Sequence, residues 1–273
     1  DAWKAVRDDK AIFGQFLWTG VDYLGEAGPW PSRGSSAGLL DLAGFVKSRG
    51  CFRQSLWSDA PMAKLVTQPA GRARGFRGGE PLRSWNHEAG AKVRVLCYTN
   101  LPSASLHLNG RPIGEPRQRD DSTGLIEWEL PFEPGKLEVI GRIQDREQVI
   151  DVLETTGPAH AIRAGIWQAA PLAAGGVAQV EIHITDAQGR PVPTADQEIT
   201  CTLAGPLRLL GMESGNLRDF QNPRANPVRT HRGTLIAYLQ ATGHPGKAKA
   251  TFSAPSLKDA VVEIEIRGTG KEG

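Results

Sequence analysis

Residues Gly14–Trp57, GQFLWTGVDYLGEAGPWPSRGSSAGLLDLAGFVKSRGCFRQSLW, change character twice. Phe13 to Val21 is an apolar, aromatic run with few charges, as expected of a strand buried on both faces in a helix-covered parallel sheet. It opens into a loop dense in Trp, Tyr, Gly, Pro and acid. Leu39 to Val46 then leads through Lys47-Ser48-Arg49 into Phe52–Trp57, an aromatic stretch suited to a helix that packs on the outside of a barrel. Upstream, Ala2 to Val6 has an amphipathic look and Asp8-Asp9-Lys10 ends it. Residues 1–62 therefore read as the last βα unit of a truncated (β/α)8 barrel. A whole barrel takes about 250 residues, so the chain is expected to be the back part of a larger protein.

Asp22, Tyr23, Glu26 and Trp30 follow the C-terminal end of the expected strand, the face on which barrel proteins carry their chemistry. Aromatic faces beside carboxylates suit a sugar, whose C–H faces pack on Trp while its hydroxyls need acceptors. Trp30 is stiffened by proline on both sides, which suits either sugar stacking or a cap on the barrel rim. Arg33 is placed to pair with Asp22 or Glu26, or to reach a substrate oxygen.

From Lys64 to Thr156 the pattern turns to β. Val93, Val95 and Cys97 alternate with Arg94, Leu96 and Tyr98, and Leu106–Leu108 runs into Asn109-Gly110, a dipeptide that readily supplies both positive φ angles of a tight hairpin. Leu125–Leu130 and Leu137–Ile143 continue the meander, as in an antiparallel sandwich. Trp85 is read as the anchor of that sandwich rather than as a glycan contact. Thr155–His160 reads as a linker, and Gly71–Gly79, with Arg72, Arg74 and Arg77, as a linker tip. Beyond, Ala178–Thr185, Glu198–Leu203, Thr234–Ala241, Lys247–Ser253 and Ala260–Arg267 supply a second sandwich, with Glu213–Arg232 as an ordered polar loop. The expected fold is mainly β: two immunoglobulin-like antiparallel β-sandwiches, residues 63–156 and 157–273, after the barrel remnant.

The order WTGVDYLGE, a Trp-Pro-Ser-Arg loop, GLLDLAGFVK and RQSLW resembles the closing βα unit of family 2 glycoside hydrolases of the β-galactosidase type. Ser84-Trp85-Asn86, Val93–Asn100 and Leu106–Gly110 resemble the small sandwich that follows the barrel in many bacterial members, although Ser84-Trp85-Asn86 departs from the His-Trp-Asn-Trp wording common among them. Val180–Asp186, Gly189–Pro193 and Gly211–Asn216 resemble their terminal immunoglobulin-like module. The resemblance implies a retaining exo-glycosidase acting on terminal β-D-galactosides, with Trp18 as the floor of a sugar subsite, Asp22 and Glu26 as hydroxyl acceptors, and Tyr23 and Trp30 as rim. It also implies that both catalytic glutamates lie upstream, in a missing N-terminal part of the same enzyme, so that no catalytic residue is expected in this chain. Asp22 and Glu26 do not replace them, because Gly25, Gly28 and Pro29 argue for a loop. A β-glucuronidase or β-mannosidase of the same family is the alternative, Arg33 being the one candidate in the loop for a uronate carboxylate. A non-catalytic glycan-binding or architectural sandwich module is another.

Thirty-two basic and 30 acidic residues leave a net charge of +2, with no basic lobe of the kind that nucleic-acid binding needs. No run approaches the ~18 apolar residues of a membrane span. Cys51, Cys97 and Cys201 and the six histidines lack metal-ligand spacing, so no metal and no cofactor are expected. The partner expected is a β-linked galactoside or related glycan, with neither nucleic acid nor membrane. The sequence opens on Asp1 with neither a charged leader nor the apolar core of a signal peptide, so targeting information is expected to have been removed or not included, and a periplasmic or secreted bacterial location is the expectation.

Overall fold

The computed structural model describes residues 2–71, 79–144, 146–167 and 171–268. Most of the Gly71–Gly79 linker, with Arg72, Arg74 and Arg77, lies outside the described residues. In chain order, α1 (Ala2–Asp8), the short strands β1 (Tyr23–Leu24) and β2 (Gly34–Ser35), and α2 (Ser48–Trp57) come first. They are followed by β3 (Ala63–Pro69), β4 (Lys92–Thr99), β5 (Ser103–Leu108), β6 (Arg111–Pro112), β7 (Arg117–Gln118), β8 (Leu125–Pro131), β9 (Lys136–Ile143) and β10 (Arg146–Glu154). The last group is β11 (Ala161–Ile166), β12 (Val177–Thr185), β13 (Glu198–Ala204), β14 (Leu207–Glu213), β15 (Val228–Arg229), β16 (Thr234–Ala241), β17 (Gly246–Ser253) and β18 (Ala260–Ile266). Among the described residues no helix is long and apolar enough to cross a membrane.

Two compact units result. One comprises Asp1–Asp22, Ala37–Leu40 and Val46–Thr155, the other Tyr23–Ser36, Asp41–Phe45 and Thr156–Gly273. Residues 1–62 thus contribute to both.

In the first unit, the antiparallel sheet β3-β4-β8 and the sheet β10-β9-β5-β6, with β7 on β5, share one core. Alternation builds it: β5 and β9 bury every second residue, and Leu106, Leu137 and Val139 meet Leu65, Val93, Val95 and Trp128 from the facing sheet. Trp85 is fully buried, its indole N–H donating to the Glu133 carbonyl at 3.0 Å and its ring set edge-on to Phe132. Asn109 (φ 52°) and Gly110 (φ 75°) both take the left-handed conformation that a two-residue hairpin requires.

Helix α2 forms where the sequence pattern places it, but on a different support. It buries Ser48, Cys51 and Ser55, a small-residue stripe on one face, and Cys51 packs with Val66, Leu96 and Tyr98 on the outer face of β3 and β4. Its first turn has no acid of its own. Glu80 supplies one, accepting from the Ser48 N–H at 2.9 Å and from its hydroxyl at 3.2 Å, which suits the positive end of a helix.

The strand expected over Ile12–Thr19 is not formed. Residues 12–17 have no regular secondary structure, and Phe13 and Phe16 are fully exposed. A parallel strand needs hydrogen-bonded neighbours along its edges, and none of the strands of this unit flanks the segment. Backbone pairing starts only at its end: the Leu39 N–H donates to the Thr19 and Gly20 carbonyls, and the Asp22 N–H to Leu40.

In the second unit, β11-β12-β16-β14 and β15-β13-β17-β18 are likewise antiparallel and bury Val180, Ile182, Ile184, Leu235, Leu239, Phe252 and Ile264 in one core. Asp186 closes the turn after β12. Its carboxylate accepts from the backbone N–H of Gly157, Gln188 and Arg190 and from the Arg190 guanidinium, all at 2.8–3.0 Å. Burial alone would push this carboxyl up, but the Arg190 guanidinium and the three backbone donors override it and hold it at about 2.

An aspartate of the unfolded chain titrates at about 3.9. Because the folded value is the lower one, the Asp186 clamp stabilises the fold fully above pH ~4 and loses that contribution as pH falls toward 2. Denaturant unfolding monitored from pH 5 to 2 should show this loss, and Asp186→Asn should flatten it while lowering stability at neutral pH.

Candidate functional site

The expected site residues fall in both units. Trp18 and Asp22 belong to the first, Tyr23, Glu26 and Trp30 to the second.

Trp18 stands at the end of the irregular segment, 72% exposed. Asp22 is the opposite. It is buried, the Lys47 ammonium lies 2.9 Å from both carboxylate oxygens, and the Gly38 N–H donates to one of them at 2.8 Å. Only glycine fits at position 38, where a Cβ would lie 2.2 Å from the Asp22 nitrogen and 2.5 Å from the Leu40 carbonyl oxygen. Asp22 therefore draws two chain segments together from inside the protein. Lys47, which closes the apolar run GLLDLAGFV, is the residue that sequence reasoning missed; a single cation after so long an apolar stretch is the signal for it.

In the second unit, β1 and β2 form a short antiparallel hairpin, with Tyr23 opposite Ser35 and Leu24 opposite Gly34. The Tyr23 hydroxyl hydrogen-bonds to the Glu26 carboxylate, and Glu26 sits in the left-handed region at φ 44°. Trp30 tops the hairpin, 81% exposed. Its ring stacks on Phe220, from the loop between β14 and β15, with centroids 4.9 Å apart and planes inclined by 26°.

Arg33 pairs with neither Asp22 nor Glu26. Its Nη2 lies 3.3 Å from both oxygens of Glu213, and both side chains are largely buried. Glu213 also accepts from the Gly215 N–H at 3.0 Å. The Arg33 N–H donates to the Leu217 carbonyl at 2.8 Å, so the polar loop after β14 is ordered and docked on the hairpin. Glu213 and Phe220 escaped sequence reasoning because their partners lie far away along the chain; a lone aromatic amid the polar residues 213–232 was the trace available. Among the described residues no group of three or more His, Cys, Asp and Glu side chains gathers as a metal site. His87 lies beside the buried Trp85, against Thr67 at 2.8 Å, and burial lowers its affinity for a proton. Together with Pro69, Asn86, Glu88 and Ala91 it lines an open cleft of about 550 Å³.

Residues 171–263 match the glycoside hydrolase family 2 C-terminal domain 5, and residues 90–150 match the domain of unknown function DUF4982. The chain belongs to glycoside hydrolase family 2, in which it corresponds to the C-terminal domains. It is 31% identical over 265 residues to β-galactosidase BoGH2A of Bacteroides ovatus, a match over 96% of this chain and 29% of that protein. A putative β-glucuronidase of Formosa agariphila is 27% identical over 270 residues, 92% of this chain and 24% of that protein. Among solved structures, a β-glycosidase from Bacteroides vulgatus superimposes with a TM-score of 0.85 at 29% identity, over 97% of this chain and 32% of that one. The chain thus spans less than a third of the curated relatives it matches.

Removing one partner of a buried ion pair leaves the other charge without compensation and costs about 3 kcal/mol or more. Lys47→Met should therefore lower the unfolding free energy of the first unit by about that amount in urea, whereas the double change Asp22→Asn with Lys47→Met should recover most of it.

Proposed function

We propose that this chain is the C-terminal part of a retaining exo-glycosidase that removes terminal β-D-galactosyl groups, with both catalytic glutamates on upstream barrel strands. Family membership supports the reaction class, and the 31% identity to a protein named as a β-galactosidase supports the sugar. In such a reaction one carboxyl protonates the departing glycosidic oxygen while the other bonds to the anomeric carbon, and water then cleaves that glycosyl ester with retention. The two groups stand about 5–5.5 Å apart.

On this reading Trp30 offers a ring face to the sugar and Tyr23 with Glu26 forms a hydrogen-bonded edge able to meet hydroxyls, while Trp18, in the other unit, is an exposed ring of the kind that a sugar packs on. Asp22, paired with Lys47 and bonded to the Gly38 N–H, is the buried anchor of its own unit's segments. The observation that carries the choice of a neutral sugar is the Arg33–Glu213 pair. Arg33 is the basic residue nearest the loop's aromatic tip in sequence, and its charge is matched by a carboxylate at 3.3 Å, so it is not poised for a uronate. A β-glucuronidase is the second reading, favoured by relatives that carry that name, and it needs a cation for the uronate carboxylate other than Arg33 as it is paired here.

The 273-residue chain should not hydrolyse a chromogenic β-galactoside, whereas the longer protein should do so and prefer it to the matching β-glucuronide. Turnover by the chain alone that disappears in Asp22→Asn or Glu26→Gln would overturn the assignment of catalysis to upstream residues.

A further inference from the structure

Trp30 presents 81% of its surface even though one side of its ring rests on Phe220, itself 54% exposed. Two large rings held in water forfeit the gain that burial would give, so what keeps them out bears on what they do. Both are fixed from below. The hairpin is tied to the loop by Arg33–Glu213 and by the Arg33 N–H on the Leu217 carbonyl. Gly34 packs so tightly that a Cβ there would lie 2.2 Å from the Tyr23 carbonyl oxygen and 2.9 Å from the buried Leu217 side chain. On either side of Phe220 the backbone is pinned: Asn216 accepts from the Arg218 N–H at 3.0 Å and Asp219 from the Gln221 N–H at 2.9 Å.

We infer that Phe220 is a positioning residue for carbohydrate binding: it backs one face of Trp30, so that the opposite face is a preassembled platform for the C–H face of one galactopyranose ring. The inference rests on the glycosidase reading and adds to it a part for the C-terminal sandwich, whose loop supplies Phe220. Size sets the occupant. Two rings match a single pyranose and fall far short of the ~800 Å² per partner that a stable protein interface buries. Beside Phe220 in the chain, Asp219 and Gln221 hydrogen-bond to each other and hold the loop, while the exposed Arg218 is a hydrogen-bond donor suited to sugar hydroxyls. Because the platform is ordered before the ligand arrives, binding carries little cost of ordering side chains.

The test is a titration of the full 273-residue chain, ¹⁵N-labelled at tryptophan, with methyl β-D-galactopyranoside, the Trp30 indole signal being assigned with Trp30→Phe. The Trp30 signal should shift with a millimolar midpoint. Phe220→Ala should raise that midpoint by about fivefold to tenfold, in keeping with the ~1 kcal/mol of an aromatic contact, and Phe220→Tyr should restore it. Thermal melts of each variant separate this from unfolding, and Phe220→Leu, which keeps bulk without a flat face, should behave as the alanine variant does. An unchanged midpoint in folded Phe220→Ala overturns the role of Phe220 while leaving the glycosidase reading intact. A Trp30 signal that ignores the glycoside while the Trp18 signal responds overturns the platform alone. Silence at both indoles contradicts the platform and the sugar-facing role of this chain together.

Discussion

Every buried peptide group needs a hydrogen-bond partner, and that constraint divides this chain into what it completes by itself and what it does not. Antiparallel strands joined by short turns find partners a few residues away, so both sheet pairs close within the chain. A strand of parallel type depends on neighbours contributed by distant segments. Residues 12–17 form no strand here, and Phe13 and Phe16 remain in solvent. Order begins where Thr19–Asp22 bonds to Leu39–Leu40.

Charge and aromatic groups divide the work in the candidate site. Asp22 with Lys47 and Arg33 with Glu213 are turned inward, each carboxylate receiving further backbone N–H donors. Such pairs add little net stability over apolar replacements, but a specific geometry is needed to satisfy them, which suits them to fixing loops. Trp18, Trp30 and Phe220 are turned outward.

Strands carrying a period-two pattern or a turn signature were legible in the sequence. The Asn109-Gly110 hairpin and the alternation of β12 and β18 are local, and local patterns survive whatever the rest of the chain does. The apolar run at Phe13–Val21 was read as a buried strand, whereas the structure leaves Phe13 and Phe16 in solvent, because hydrophobicity does not supply the neighbours that a strand needs. For α2, the aromatic residues drew attention, but the stripe of Ser48, Cys51 and Ser55 decides which surface it lies on, because small side chains allow close approach to β3 and β4. Asp22, Tyr23, Glu26 and Trp30 stood out as a cluster in sequence; their division between a buried ion pair and an exposed rim depended on Lys47, Glu213 and Phe220, whose contacts are long-range and leave no periodic trace.

Amide hydrogen exchange over Ile12–Thr19 tests the central proposal, that this segment becomes a strand when an upstream barrel is present. In the 273-residue chain the account expects these amides to exchange near the unprotected rate while those of Val93–Tyr98 are strongly protected, and in the longer protein it expects both sets to be protected. Protection of Ile12–Thr19 equal to that of Val93–Tyr98 in the monomeric 273-residue chain would contradict it, as would a segment still unprotected in the longer protein.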